Sequence, residues 1–190
     1  DASSSVQDMY FSDYAVTNET LGIPAEAVDT LKANDAVERL STTRLSIFMQ
    51  GAGDELPFET DLSVQSHETF QLVNIDDGLL EIYAPNLSDQ DKQALNNGTG
   101  CLVKNPIPFS YGDTPVEHTE LSIGDTIQLG SRALRVIGII DTPITINNEG
   151  FTNGVQLIVN EEIYCSLMQD DTYSEIYLTL QDGVDTNSFE

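Results

Sequence analysis

The clearest pattern of apolar and polar positions runs from Leu121 to Asp141. Gly124-Asp125 signals a turn, Thr126-Ile127-Gln128-Leu129 alternates polar with apolar, Gly130-Ser131 interrupts it, and Arg132-Ala133-Leu134-Arg135-Val136 resumes the alternation. Two strand-like runs about a two-residue loop predict a β-hairpin, with Gly130 supplying the positive φ of a type II′ turn. Beyond Val136 the polar positions stop. Ile137, Ile139 and Ile140 therefore predict a strand that starts with one wet face and finishes buried on both.

The rest of the chain follows the same two periods. Met9 to Thr17, with Tyr10, Phe11, Tyr14 and Val16, predicts a first strand, broken at Gly22-Ile23-Pro24. Pro24 at a first helical position, then Glu26, Val28 and Leu31, predicts an amphipathic helix to about Ala33. From Val37 to Met49 the period falls to two, and Ser41-Thr42-Thr43 disfavours a helix, so a long strand follows. Gln50 to Glu68 reads as a connector or a long functional loop. Thr69 to Ile75 is a strand, Leu79 to Tyr83 a short helix, Ser88 the N-cap of a helix to Leu95 that closes at Asn97-Gly98, and Gly100 to Lys104 a buried strand. Asn105 to Thr119, with Pro106, Pro108, Gly112 and Pro115, is turn-rich. Val155 to Val159 predicts a strand, Asn160 caps a helix from Glu161 to about Met168, and Tyr173 to Leu180 predicts an alternating strand. Asp185 would cap a helix beyond the Asp182-Gly183-Val184 turn.

These elements predict an α+β fold. The β-α-β pieces from the two chain ends, residues 8–50 and 155–190, would form one subdomain, and residues 51–154 a mostly β insertion.

Composition narrows the possible partners. With 190 residues, 39% of them hydrophobic, the chain can bury roughly 70% of its unfolded surface and needs no metal or disulfide to hold a core. Its 32 acidic residues against 7 basic ones give a net charge of −25. Such a surface repels phosphate backbones and anionic lipid headgroups and attracts cationic peptides, cationic domains and divalent ions; nucleic acid is excluded as a partner. The longest apolar runs are about five residues, too short to cross a bilayer. Asp1 in place of Met and the Ser3-Ser4-Ser5 lead-in suggest a chain excised or processed from something longer.

Candidate chemistry is sparse. Gly-rich phosphate loops, H-E-x-x-H, G-x-S-x-G and Cys-x-x-Cys are missing from the sequence. Cys101 and Cys165 could form one bridge, but their apolar neighbours favour two free thiols. His67 and His118 lie in polar sequence beside acids, where a shared zinc or a general base is conceivable and exposed loop histidines are commoner. Asp76-Asp77-Gly78 and Asn147-Asn148-Glu149-Gly150 lack the ligand spacing of an EF-hand and read as turns. The pairs Glu161-Glu162 and Asp170-Asp171 sit at helix ends, where solvation explains them. Asn18, Asn86 and Asn97 head glycosylation-type triplets. The sequence thus nominates no catalytic, cofactor-binding or metal residue, and the chain reads as no enzyme.

In order along the chain, three sets of residues resemble the extracytoplasmic core domain of FtsX-like and MacB-type ABC transporter permeases. They are Ile23 to Leu40, with Ala36-Val37-Glu38-Arg39-Leu40 as the approach to a strand; Leu121-x-x-Gly124-Asp125-x-Ile127 with Val136-Ile137-Gly138-Ile139; and Val155 to Leu167 with Ile176 to Asp185. The segments 50–68 and 105–119 match nothing in that family. The resemblance implies a cofactor-free, non-catalytic domain on the extracytoplasmic side of a cell membrane, extracellular or periplasmic. It would lie between the first and second transmembrane helices and couple ATP-driven motion to substrate or partner handling. Its implied partners are the membrane-embedded remainder of the permease, an ABC ATPase, and a second permease copy or an extracytoplasmic partner protein. The few Lys and Arg suit an external loop. The alternative is a secreted or surface-anchored acidic module that captures cationic ligands.

Overall fold

A computed structural model of the chain describes residues 12–18, 21–49, 55–65, 67–146 and 153–184. The described residues form ten strands: β1 (Tyr14–Thr17), β2 (Val37–Met49), β3 (Thr69–Ile75), β4 (Gly100–Lys104), β5 (Ser110–Tyr111), β6 (Thr114–Pro115), β7 (Thr126–Leu129), β8 (Arg132–Ile139), β9 (Gly154–Ile158) and β10 (Glu175–Leu180). The helices are α1 (Ala25–Lys32), α2 (Asp77–Tyr83), α3 (Asp89–Asn96) and α4 (Glu161–Met168). The α+β class expected from the pattern is the class observed. The Asn147–Gly150 cluster, the start of the first strand at Met9, residues 50–54 and 66 of the 50–68 connector, and the helix expected after Asp185 lie outside the described residues.

Helix starts follow the capping signals. The Ser88 hydroxyl accepts from the Asp91 amide at 3.2 Å, Asn160 Oδ1 accepts from Ile163 N at 2.9 Å, and Asp76 Oδ1 accepts from Leu79 N at 3.1 Å. Pro24 is itself the N-cap of α1, extended at ψ 148°, one residue outside the expected first turn. A non-helical cap is the conformation that the fixed proline φ also allows.

Eight strands form one sheet in the order β1-β10-β2-β3-β9-β4-β8-β7, and β5 and β6 form a separate ribbon. The two β-α-β pieces are therefore split. β10 lies between β1 and β2, antiparallel to both, while β9 lies beyond β3 and parallel to it. β2 is the strand on which the sheet is staggered. Its first half, Val37 to Thr43, pairs with β10, and its second half, Thr43 to Met49, pairs with β3, so that Thr43 faces both Glu175 and Ile75. Asp13 Oδ2 accepts from Leu180 N at 2.7 Å, which puts the start of β1 beside the end of β10.

Three apolar clusters hold the layers. On one face of the sheet, Leu79, Leu80, Tyr83 and Leu95 of α2 and α3, with Ile140 and Ile144 from the segment after β8, cover Leu45, Val73, Leu102 and Ile158. On the other, Ile163 and Tyr164 of α4, with half-buried Leu56, Phe58, Leu62 and Val64, cover Phe70, Leu72, Val103, Val136 and Leu157. Val28 of α1 packs on Ile176, Leu178 and Leu180. Each fully buried side chain of this kind is worth about 1.5–3 kcal/mol.

Two patterns are corrected. β10 alternates in sequence, yet five of its six residues are buried because helices cover both of its faces. β8 does not finish buried on both sides: Ile140 is buried but Ile139 is 37% exposed. The reason is a bulge. Cys101 pairs with Val136 and Leu102 with Gly138, leaving Ile137 as an extra residue that breaks the alternation. Leu134 and Val136 join the α4-side cluster, whereas Ile137 and Ile140 pack on the opposite face.

Candidate functional site

The stagger of β2 has a buried charge at its turning point. Arg44, 2% exposed, follows Thr43 and reaches across the junction. Its Nη1 donates to Asn74 Oδ1 at 2.9 Å, its Nη2 donates to Glu161 Oε1 at 2.8 Å and to the Asp171 carbonyl at 3.1 Å, and its guanidinium carbon lies 3.8 Å over the Tyr173 ring. A buried cation is costly unless it is paired and hydrogen-bonded. The partners here come from β3, from the first turn of α4 and from the segment leading into β10. One side chain thus ties both halves of the sheet together.

Arg44 lines a crevice of about 240 Å³ with Thr42, Asn74, Asp76, Asn160 and Tyr173. Asp76, expected as a turn residue, caps α2 and also accepts from Thr42 N at 3.2 Å, joining that helix to β2. Burial raises its carboxyl pKa above the ordinary 3.8, against the hydrogen bonds that favour the anion. Glu162, of the other expected pair, is bonded to Arg132. Asp170 Oδ1 accepts from Thr172 N at 2.9 Å. These acids serve caps, turns and ion pairs.

A second buried polar system crosses three strands. Gln71 pairs with Gln156, and Gln156 with Lys104. Gln156 Nε2 donates to Gln71 Oε1 at 2.7 Å and to the Ile144 carbonyl at 2.7 Å, and its Oε1 accepts from Ile144 N at 2.8 Å. Lys104, 3% exposed, ends the row with a buried Nζ that has no hydrogen-bond partner. Burial lowers its pKa. Sequence reading missed this row, because charged and amide residues in an apolar strand carry no periodic signal beyond being out of place.

The connecting segments are fixed by Glu68, 2% exposed. Its carboxylate accepts from Thr119 N and from the Thr119 hydroxyl, both at 2.6 Å, and from Gln65 N at 3.1 Å. His67 packs edge-on against Phe109 at 5.3 Å, and His118 lines a shallow groove with Gln65, Pro115, Val116 and Glu117. Among the described residues no group of three or more His, Cys, Asp or Glu side chains could hold a metal ion. Cys101 and Cys165 are free. Burial pushes the Cys101 thiol up to about 12 and also raises Cys165, so neither is a thiolate at neutral pH. The arrangement can clamp and bind; its thiols are poor nucleophiles.

No family model matches the sequence, and a search of curated proteins found no match. Solved structures do match. The extracellular domain of the ABC-type transporter YknZ from Gram-positive bacteria superposes with a TM-score of 0.51 at 11% sequence identity, over 97% of this chain and 83% of that one. This chain has the YknZ extracellular-domain fold. The fold expected from the family resemblance is therefore the fold found. The periplasmic region of MacB from Actinobacillus actinomycetemcomitans gives a TM-score of 0.49 at 11% identity, over 92% of this chain and 70% of that one. At this identity the likeness to YknZ speaks for the fold, and the role of Arg44 rests on its own geometry.

Proposed function

We propose that the chain is the extracytoplasmic domain of an ABC transporter permease. It is a non-catalytic module that passes ATP-driven motion of the membrane part to a substrate or partner protein outside. The observation that carries this reading is the YknZ-like fold. It is supported by Asp13 and Leu180, hydrogen-bonded neighbours that bring the start of β1 and the end of β10 together, as a loop between successive spans would need. No helix among the described residues is long and apolar enough to cross a membrane, so on this reading the spans belong to the remainder of the permease.

In that setting β2 is the transmission element. Its first half pairs with β10, whose end neighbours the start of β1, its second half pairs with β3, and Arg44 is bonded across the junction of the two. The implied partners are the membrane-embedded remainder, an ABC ATPase, and a second permease copy or an extracytoplasmic protein.

The test is isolation of the native protein from its own membranes after mild crosslinking, with mass spectrometry of what accompanies it. An ABC ATPase in the complex, and ATPase turnover altered by Arg44→Met, is the expected result. Fractionation of the native protein with soluble proteins alone would overturn the reading.

A further inference from the structure

Between β4 and β7 the chain builds a short arm from β5 and β6, which among the described residues pair only with each other. Gly112 makes its turn at φ 60°. The arm shows water an apolar stripe of alternate residues, Ile107 at 48% exposure, half-buried Phe109 and Tyr111 at 70%, on a period of two that a strand-like segment presents to one side. The rings form a stack fixed to the body, His67 on Phe109 at 5.3 Å and Phe109 on Tyr111 at 5.5 Å, both edge-on. Isolated exposed apolar residues need no explanation; a contiguous stripe on a projecting element with a braced root does.

Along the sequence, the charge of the arm and of the segment at its root is of one sign. From Asn105 to Ser131 the chain carries Asp113, Glu117, Glu120 and Asp125 and no Lys or Arg, and from Leu45 to Asp91, which includes the segment packed at the arm's root, it again carries no Lys or Arg. Of the seven basic residues, Lys104 is the nearest in sequence and is buried. Beside the stripe, Glu117 and His118 edge a shallow groove with Gln65, Pro115 and Val116. An anionic rim around an apolar, aromatic centre is complementary to a segment with the opposite charge and a like apolar face.

We infer that the β5–β6 arm is a docking surface for a cationic polypeptide segment with interspersed apolar side chains. Its apolar residues lie on Ile107, Phe109 and Tyr111, and its lysines or arginines face Asp113 and Glu117. This assignment does not depend on the transporter reading and survives if that reading fails. It differs from attraction by the net charge of −25 alone, because it requires the stripe.

The experiment is calorimetric titration of the chain with three synthetic peptides of equal length: alternating Lys-Leu, alternating Glu-Leu, and a Lys-Ser counterpart with the same charge and no apolar residue. The Lys-Leu peptide binds tightest, and its affinity falls as salt is raised. Tyr111→Ser and Ile107→Ser each weaken it about tenfold, the scale of one lost apolar contact. Leu21→Ser, which removes an equally apolar side chain 78% exposed between β1 and α1, leaves it unchanged. Equal binding of the Lys-Ser peptide, equal loss in the Leu21 variant, or no binding of the Lys-Leu peptide overturns the assignment. The altered side chains are exposed, so the variants keep the fold.

Discussion

At the scale of single residues, the buried polar groups decide the chemistry, and Lys104 is the most exacting of them. Its ammonium sits at the end of the Gln71–Gln156 row without a hydrogen-bond partner, and burial holds its pKa below the ordinary 10.5. The folded chain therefore binds this proton more weakly than the unfolded chain does. The stability linked to the group is present above 10.5 and is lost as pH falls through the folded value. Lys104→Met keeps the length of the side chain and removes the charge. We expect the variant to be more stable than the parent at pH 7 by about 1–3 kcal/mol, with the margin narrowing as pH approaches 10. Chemical denaturation at pH 7 and at pH 9.5 checks both parts; a variant less stable at pH 7, or a margin that ignores pH, would refute the account. The sequence displayed Gly-Cys-Leu-Val-Lys as a buried strand, and so it is. That the lysine would be buried with it was not legible, since a lysine at a strand end ordinarily turns its amine to water.

At the scale of elements, most of the helices and strands were legible because caps and periods are local. Ser88 and Asn160 mark their helices by short side-chain bonds to amides three residues on, Asp76 does the same where a turn was expected, and the Gly130-Ser131 turn is formed with Gly130 at φ 56°. The β8 bulge was not legible. It depends on how Cys101 and Leu102 meet Val136 and Gly138, a pairing between strands far apart in sequence. Gly138 belongs to the same feature, since a Cβ there would lie 2.8 Å from Leu102 Cδ2. The bulge reverses what an acid does at two positions on one strand. Sequence alone makes Ile139→Asp as damaging as Val136→Asp; the structure leaves Ile139 at 37% exposure and Val136 at zero. Ile139→Asp should cost less than about 1 kcal/mol and melt cooperatively, whereas Val136→Asp should cost more than about 3 kcal/mol or prevent folding. Thermal denaturation of the pair separates them, and equal destabilisation would mean that the bulge is misplaced.

At the scale of the whole molecule, the sheet is two offset halves sharing β2, and the question is what keeps them from moving independently. Apolar packing bridges them on one face through Tyr177, the β10 residue that joins Leu45 and Val73 in the α2–α3 cluster, while the other apolar residues of β10 pack in the separate α1 cluster. Arg44 bridges them as well. It bonds Asn74 of β3 and Glu161 of α4 and lies beneath Tyr173, whose backbone exchanges hydrogen bonds with Ile23 at 2.7 and 2.8 Å just ahead of α1. Nothing local in Ser41-Thr42-Thr43-Arg44-Leu45 announces this, because the partners are remote in sequence and the strand period places charge and apolar residues alike. Arg44→Met fills the space but gives up all three hydrogen bonds, to Asn74, to Glu161 and to the Asp171 carbonyl. Glu161, whose side chain is 64% exposed, regains water at little cost. The loss should be about 2–4 kcal/mol, below that of a pair buried on both sides. Its distribution is the sharper test. Native-state hydrogen exchange should show the amides of β1, β10 and α1 opening well before those of β3, β9 and β4, where the parent opens the two sets closer together. A uniform loss of protection across both sets would show that Arg44 adds stability without joining the halves, and β2 would then not be the element through which motion crosses the domain.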